Sequence, residues 1–214
     1  MIELKNISKS YSSEKVLSDF SVQFEEGISY CIMGSSGIGK TTLLNIMSGI
    51  LKPDSGSITG LKDKKKSFIF QENRLIPWLT AYENITYVTN DGAEAEKSLK
   101  KAGIHSSKDK LPEQMSGGMQ RRLAIARAAA ASGDVFFIDE PLYGLDAKTE
   151  REILIYLKDI ISGKTSFTVT HSPDDAYFIA DKILFLNNSP VSSCIIKDKS
   201  SFNSPEELKN VGII

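Results

Sequence analysis

Residues 34–41 read Gly-Ser-Ser-Gly-Ile-Gly-Lys-Thr and fit the pattern G-x-x-x-x-G-K-[ST] at every required position. The pattern works only where a strand leads into the loop and a helix leads out, so it constrains the local fold as well as the chemistry. Both flanks agree. Ile28-Ser-Tyr-Cys-Ile-Met33 is apolar enough for a buried strand, and Thr42-Leu-Leu-Asn-Ile-Met-Ser48 carries apolar residues at helical spacing. The competing reading is a glycine-rich turn that merely joins strand to helix.

The residue types fit phosphate chemistry. Gly34, Gly37 and Gly39 let the backbone curl so that several N–H groups face one anion, with Ser35, Ser36 and Ile38 in the same cradle. The helix starting near Lys40 adds the positive end of its dipole. Lys40 supplies a mobile charge for β- and γ-phosphates, Thr41 a hydroxyl for Mg²⁺, and Thr42 a hydroxyl within reach of another phosphate oxygen.

Bulk properties narrow the setting. A chain of 214 residues, 41% hydrophobic and 25% charged, can bury a sizeable core and reads as globular. A net charge of -1 gives no reason to expect nucleic-acid binding. No apolar run approaches the roughly 20 residues that span a bilayer. The opening Met1-Ile-Glu-Leu-Lys5 lacks the features of a signal peptide. Cys31 and Cys194 stand far apart without histidine clusters, which fits reduced, buried apolar groups in a cytosolic protein.

Ile2–Lys5 and Phe20–Phe24 alternate as half-buried strands, with Tyr11 expected in a polar loop between them, either stacking on a purine ring or lying in a surface turn. Ser57–Thr59 reads as a short strand, Lys62–Lys66 as a solvated hairpin tip, and Ser67–Phe70 as a buried strand ending at Gln71. Thr80 and Glu83 form a capping-box signature for a helix, and residues 93–103 with 106–110 suggest further helix. That insert has few large apolar groups and is expected to be mobile and weakly packed. A helix rich in alanine and arginine should run from Ser116-Gly-Gly to about Ala131, then a buried strand to Asp139-Glu140. Asp146 should cap a helix whose face is Ile153, Leu154, Leu157, Ile160 and Ile161. Ser166–Thr170 is a strand ending at His171, with Ser172 and Pro173 starting the next helix. Ile183–Leu186 and Val191–Ile196 should close the chain as strands.

Several of these strand ends carry reactive groups. Asp139 can hold Mg²⁺ directly or through water. Glu140 points elsewhere by one position and is the candidate to polarise an attacking water, or else a carboxylate that only orients the metal. His171 can contact a γ-phosphate and steady Glu140, or serve the fold alone. Gln71 is a neutral donor and acceptor, and Ser116 with the backbone of Gly117 and Gly118 forms a second helix start suited to phosphate.

Tyr11, the phosphate loop, Gln71, Met115-Ser-Gly-Gly-Met119, Asp139-Glu140, Gly144-Leu-Asp146 and His171 occur in the order found in one family. Over nearly its whole length the chain resembles the ATPase subunit of an ATP-binding cassette (ABC) transporter. The resemblance implies an α/β P-loop fold with a mixed core sheet, an antiparallel β-subdomain and a small helical subdomain. It divides one domain, 1–214, into core and β-subdomain (1–71 and 133–214) and helical subdomain (about 72–132). It implies ATP and Mg²⁺ as ligands. Gln71 would reach Mg²⁺ and the water while its loop senses a membrane partner. Ser116, Gly117, Gly118 and Asp146 would lie at the seam of a head-to-tail homodimer, covering ATP held by the other copy.

Three positions depart from the family pattern: Met115 replaces leucine, Met119 replaces a glutamine that could close a capping box, and Arg121 replaces another glutamine. Phe70–Trp78 and the Met-rich signature look most like importers of the nitrate, sulfonate and taurine type. Leu75, Ile76 and Trp78 would then either receive a short helix of the permease or pack within the helical insert. The implied partners are a second copy, transmembrane permease subunits and an extracytoplasmic solute-binding protein. The implied place is the cytoplasmic face of the membrane, with no regulatory domain after residue 214. Two rivals are a soluble ABC protein acting as a mechanical switch and a small-molecule kinase on the same loop.

Overall fold

The computed structural model describes residues 1–209 and 211; the end of the expected core segment 133–214 lies outside them. The first third contains β1 (Ile2–Tyr11), β2 (Glu14–Phe24), β3 (Ser29–Met33), α1 (Lys40–Ser48), β4 (Ser55–Thr59) and β5 (Lys66–Ile69). Three helices follow: α2 (Ala81–Thr89), α3 (Gly92–Lys101) and α4 (Gly117–Ala130), with single tight turns at His105–Ser107 and Pro112–Gln114. The last third alternates β6 (Val135–Asp139), α5 (Ala147–Ile161), β7 (Thr165–Val169), α6 (Pro173–Ile179), β8 (Lys182–Asn187) and β9 (Ser193–Asp198), then ends in α7 (Pro205–Lys209).

Burial explains the sheet type. All five residues of β3 and of β7 are buried, as are Val135–Ile138 of β6, the pattern of parallel strands covered on both faces. They form the middle of a six-stranded sheet ordered β5-β6-β7-β3-β8-β9, parallel except for β9. Val169 of β7 pairs in register with Ile32 of β3 and with Asp139 of β6. Three chain segments therefore leave the sheet side by side at its carboxyl edge: the phosphate loop, Asp139-Glu140, and Thr170-His171. This edge is where open parallel sheets place ligands.

A second, three-stranded antiparallel sheet, ordered β2-β1-β4, covers one face of the first. Between them Phe24, Tyr30 and Phe167 meet with ring centroids 4.8–5.5 Å apart, amid Ile2, Leu4, Phe20 and Leu43. On the opposite face Cys31, Phe136 and Ile138 pack under α5 and α6 through Ile153, Leu157 and Ala176.

The structure corrects five expectations. Tyr11 is not in a loop: β1 and β2 run further than their clearest alternation suggests, and Tyr11 ends β1 opposite Glu14. Lys62–Lys66 does not tip a hairpin, because β4 pairs with β1 and β5 with β6, so the run links two different sheets. There Lys64 pairs with Glu26 and Lys66 donates to the Ser48 carbonyl. The last strand starts at Ser193, after a turn with a cis Ser189–Pro190 bond, and the short α7 follows it. Cys194 is only partly buried, whereas Cys31 is wholly so, its thiol pushed up by desolvation.

The helical segment is also better packed than its composition suggests. Ala81, Ile85, Ala95, Leu99, Ala102, Ile104, Met115 and Leu123 form a third core, and small alanines let α2, α3 and α4 approach closely. The Thr80–Glu83 capping box is present: Thr80 Oγ1 accepts from the Glu83 amide, and the Glu83 carboxylate accepts from the Thr80 amide. Leu99→Ala, at a fully buried position, should therefore cost about 2–5 kcal/mol in urea unfolding. A loss well below that range would restore the weakly packed reading.

Candidate functional site

The phosphate loop takes its shape from glycine. Gly39 has φ 115°, and a Cβ there would sit 2.6 Å from Val16 Cγ1, so a side chain is excluded by both conformation and space. Beyond it, α1 starts at Lys40 with no side chain capping its first N–H groups. Lys40 Nζ arches back over the loop and donates to the carbonyls of Gly34 (2.9 Å) and Ser35 (2.8 Å). Desolvation lowers its pKa, opposed by the nearby Glu140 and Asp139 carboxylates.

The two adjacent acids face different neighbours. Thr41 Oγ1 donates to Asp139 Oδ1 at 3.3 Å, and burial is the main cause that raises the Asp139 pKa. Glu140 has left the sheet and takes φ 41°, which turns its carboxylate toward a different side. Its Oε2 lies 2.9 Å from His171 Nδ1, while its amide donates to the Val169 carbonyl. Strain of this kind is kept where the surroundings dictate it.

These groups surround a cavity of about 340 Å³. Its walls are Ser36, Gly37, Gly39, Lys40, Thr41, Thr42, Gln71, Glu140, Tyr143, Val169 and His171. An adjoining depression of about 230 Å³ shares Thr41 and Gln71 and contains Asp139, Asn45 and Phe70. Tyr11 stands at the rim, its hydroxyl 3.5 Å from Thr42 Oγ1 and its ring half exposed.

The structure keeps one expected group apart. Ser116 caps α4, its Oγ accepting from the Met119 amide at 3.3 Å, and Ser116 and Gly117 are exposed to solvent. Asp146 caps α5 by accepting from the Thr149 amide, and hydrogen bonding from Thr149, its side chain first and then its amide, lowers the Asp146 pKa. Thr149 in turn packs on Gly118, where a Cβ would come within 2.8 Å. Ser116, Gly117, Gly118 and Asp146 thus form one surface, and none of them lines the phosphate-loop cavity.

Two residues escaped the sequence reading. Tyr143 is two-thirds exposed yet forms a wall of the cavity; its only signal was its place in the loop between Glu140 and Asp146. Arg121 stood out only as a departure, with no role, although it shares the buried helical face of Ala124, Ile125 and Ala128. A lone charge on such a face signals a buried polar task.

A metal fits beside Asp139 if the ion is hard. No group of three or more histidine, cysteine or carboxylate side chains is gathered among the described residues. A carboxylate and a hydroxyl 3.3 Å apart, with Gln71 on the same wall, suit Mg²⁺, which takes one or two carboxylates and fills its shell with phosphate and water.

Comparisons with known proteins agree with this geometry. The ABC transporter family pattern matches residues 17–143. The bicarbonate transport ATP-binding protein CmpD of Synechocystis sp. is 36% identical over 212 residues, covering 88% of this chain and 75% of its own. The aliphatic sulfonates import ATP-binding protein SsuB 3 of Paraburkholderia xenovorans is 29% identical over 98% of this chain and 85% of its own. A solved dimeric, post-hydrolysis structure of the ATP-binding cassette MJ0796, bound to ADP and Pi, superposes with TM-score 0.79 at 30% identity, covering 94% of this chain and all of that one. On these matches this chain belongs to the ABC transporter family and is an ATPase.

Proposed function

We propose that the chain works as a head-to-tail homodimer on the cytoplasmic face of a membrane, driving solute through a separate permease. One observation carries this reading. The chain holds a phosphate cavity and a second phosphate-suited surface, Ser116-Gly117-Gly118 with Asp146, that does not reach its own cavity. A second copy turned head to tail brings each surface over the other's cavity and buries two ATP molecules at the seam.

Within each cavity the backbone of Gly34, Ser35, Ser36, Gly37, Ile38 and Gly39 cradles the phosphates, Lys40 moves from its own carbonyls to the β- and γ-oxygens, and Thr42 adds a hydroxyl. Tyr11 stacks on the base. Thr41, Asp139 and Gln71 hold Mg²⁺, which when bound neutralises developing charge on the phosphates. Glu140 accepts the proton of the attacking water, His171 holds that carboxylate at 2.9 Å and touches the γ-phosphate, and Gln71 aligns the water. Residues 1–71 and 133–214 act as the core and β-subdomain, and residues 72–132 as a helical subdomain that carries Ser116.

The permease face lies on that helical part. Trp78 is 76% exposed and Tyr87 69% exposed, beside a shallow depression walled by Leu79, Glu83 and Thr86. Leu75 packs on the helical core instead, and Ile76 is half-buried. A short amphipathic helix of a permease fits this patch. One relative is named for bicarbonate transport and another for aliphatic sulfonates import, which supports an importer served by an extracytoplasmic solute-binding protein. Among the described residues no helix is long and apolar enough to cross a membrane.

Trp78→Glu tests the assignment. The isolated variant should release phosphate from ATP at the normal rate but fail to co-purify in detergent with its multi-span permease. Retained permease binding would move the docking face elsewhere, and a phosphorylated acceptor in place of free phosphate would defeat the transporter reading.

A further inference from the structure

Arg121 is 4% exposed, in the first half of α4, and among the described residues no carboxylate lies within salt-bridge distance of it. A guanidinium buried in this way is costly unless its donors are satisfied. Here they are satisfied by two loops. On one side Nη1 donates to the carbonyls of Phe70 (2.5 Å) and Gln71 (3.3 Å) and to Asn73 Oδ1 (3.3 Å). On the other, Nε donates to the Pro141 carbonyl (2.5 Å) and Nη2 to the Glu140 carbonyl (3.4 Å). These loops follow the neighbouring strands β5 and β6 and carry Gln71 and Glu140, which both line the cavity. The fork is rooted in the helix that begins at Ser116.

We propose that Arg121 is a positioning residue for hydrolysis, fixing the backbone of Gln71 and Glu140 relative to each other and tying both to the helix that starts at Ser116. The inference rests on the reading of Glu140 and Gln71 as the groups that attend the water. It requires the planar fork: a lysine ammonium is a single point on a flexible stem and satisfies one loop at a time. Two of the carbonyls it holds belong to Gln71 and Glu140 and the other two to their chain neighbours Phe70 and Pro141, so displacement of this backbone by about 1 Å is enough to cost up to about 10²-fold in turnover.

Arg121→Lys and Arg121→Ala test it, with Glu140→Gln as control. Arg121→Lys should lose about tenfold in kcat with KM for ATP unchanged within experimental error. Arg121→Ala should lose more and regain part of its turnover when guanidinium is added at millimolar concentration. Wild-type kcat in Arg121→Lys, a KM that rises in step with the loss, or an ATP-binding Arg121→Ala without rescue would each overturn the proposal. Should Arg121→Ala fail to fold, the kcat and KM of Arg121→Lys decide. An active Glu140→Gln would instead defeat the underlying reading of Glu140.

Discussion

Glu140→Gln should bind ATP as the natural protein does, turn it over about 10²–10⁴ times more slowly, and elute as a dimer when ATP is present. The substitution keeps the size and shape of the side chain and removes its charge and its ability to take a proton. The carboxylate lies 2.9 Å from His171 Nδ1 and faces the main cavity, while Asp139 faces Thr41 and the adjoining depression. On the proposed reading the two acids divide the work: Asp139 would hold the cation, and Glu140 would take the proton of the attacking water. Removing Glu140's basicity leaves binding intact and stops the step that reopens the seam, so the closed dimer accumulates. Stopped-flow phosphate release and size-exclusion chromatography with ATP check the two halves. A variant that still hydrolyses rapidly would reduce Glu140 to a group that merely orients the metal, the alternative its position in the sequence left open.

Why Glu140 was legible from sequence, and Tyr143 was not, follows from the kind of information each carries. Val135–Ile138 is a run that can only be a buried strand, and a strand end fixes where the next two side chains emerge. The same logic located Gln71 after β5 and His171 after β7, and capping chemistry located Thr80, Ser116, Asp146 and Ser172. What failed was pairing between distant segments. Lys62–Lys66 looks like a hairpin tip because the strands around it are neighbours in sequence. Only the competition of β1 and β6 for those strands sends them to different sheets. The helical segment misled for another reason: alanine supplies little apolar area, yet it permits the close helix approach that buries Ile85, Leu99 and Leu123. Arg121 combined both difficulties, since its helical face marked it as buried but its partners lie some 20 and 50 residues away in sequence.

Ser116→Arg should abolish ATP turnover, by about 10²-fold or more, while leaving the affinity of the single chain for ATP nearly unchanged. The Ser116 side chain is exposed and far enough from the phosphate loop to share no cavity wall with it, so a bulky cation there has nothing to disturb within its own chain beyond the cap on Met119. Its effect must arise where a second copy would meet it, at the point where the start of α4 and the Asp146–Thr149 turn form one surface. Mixing makes the test sharper. Ser116→Arg chains retain an intact Lys40, and Lys40→Ala chains retain an intact Ser116. A mixed dimer rebuilds one complete pocket from the sound half of each, so two preparations that are separately inactive should regain activity when combined. If both halves of a pocket came from the same chain, no mixture could recover anything. Silence from the mixture, with mixed dimers demonstrated by differential tagging, would remove the trans arrangement, and a Ser116→Arg monomer that no longer binds nucleotide would place Ser116 in its own chain's pocket instead.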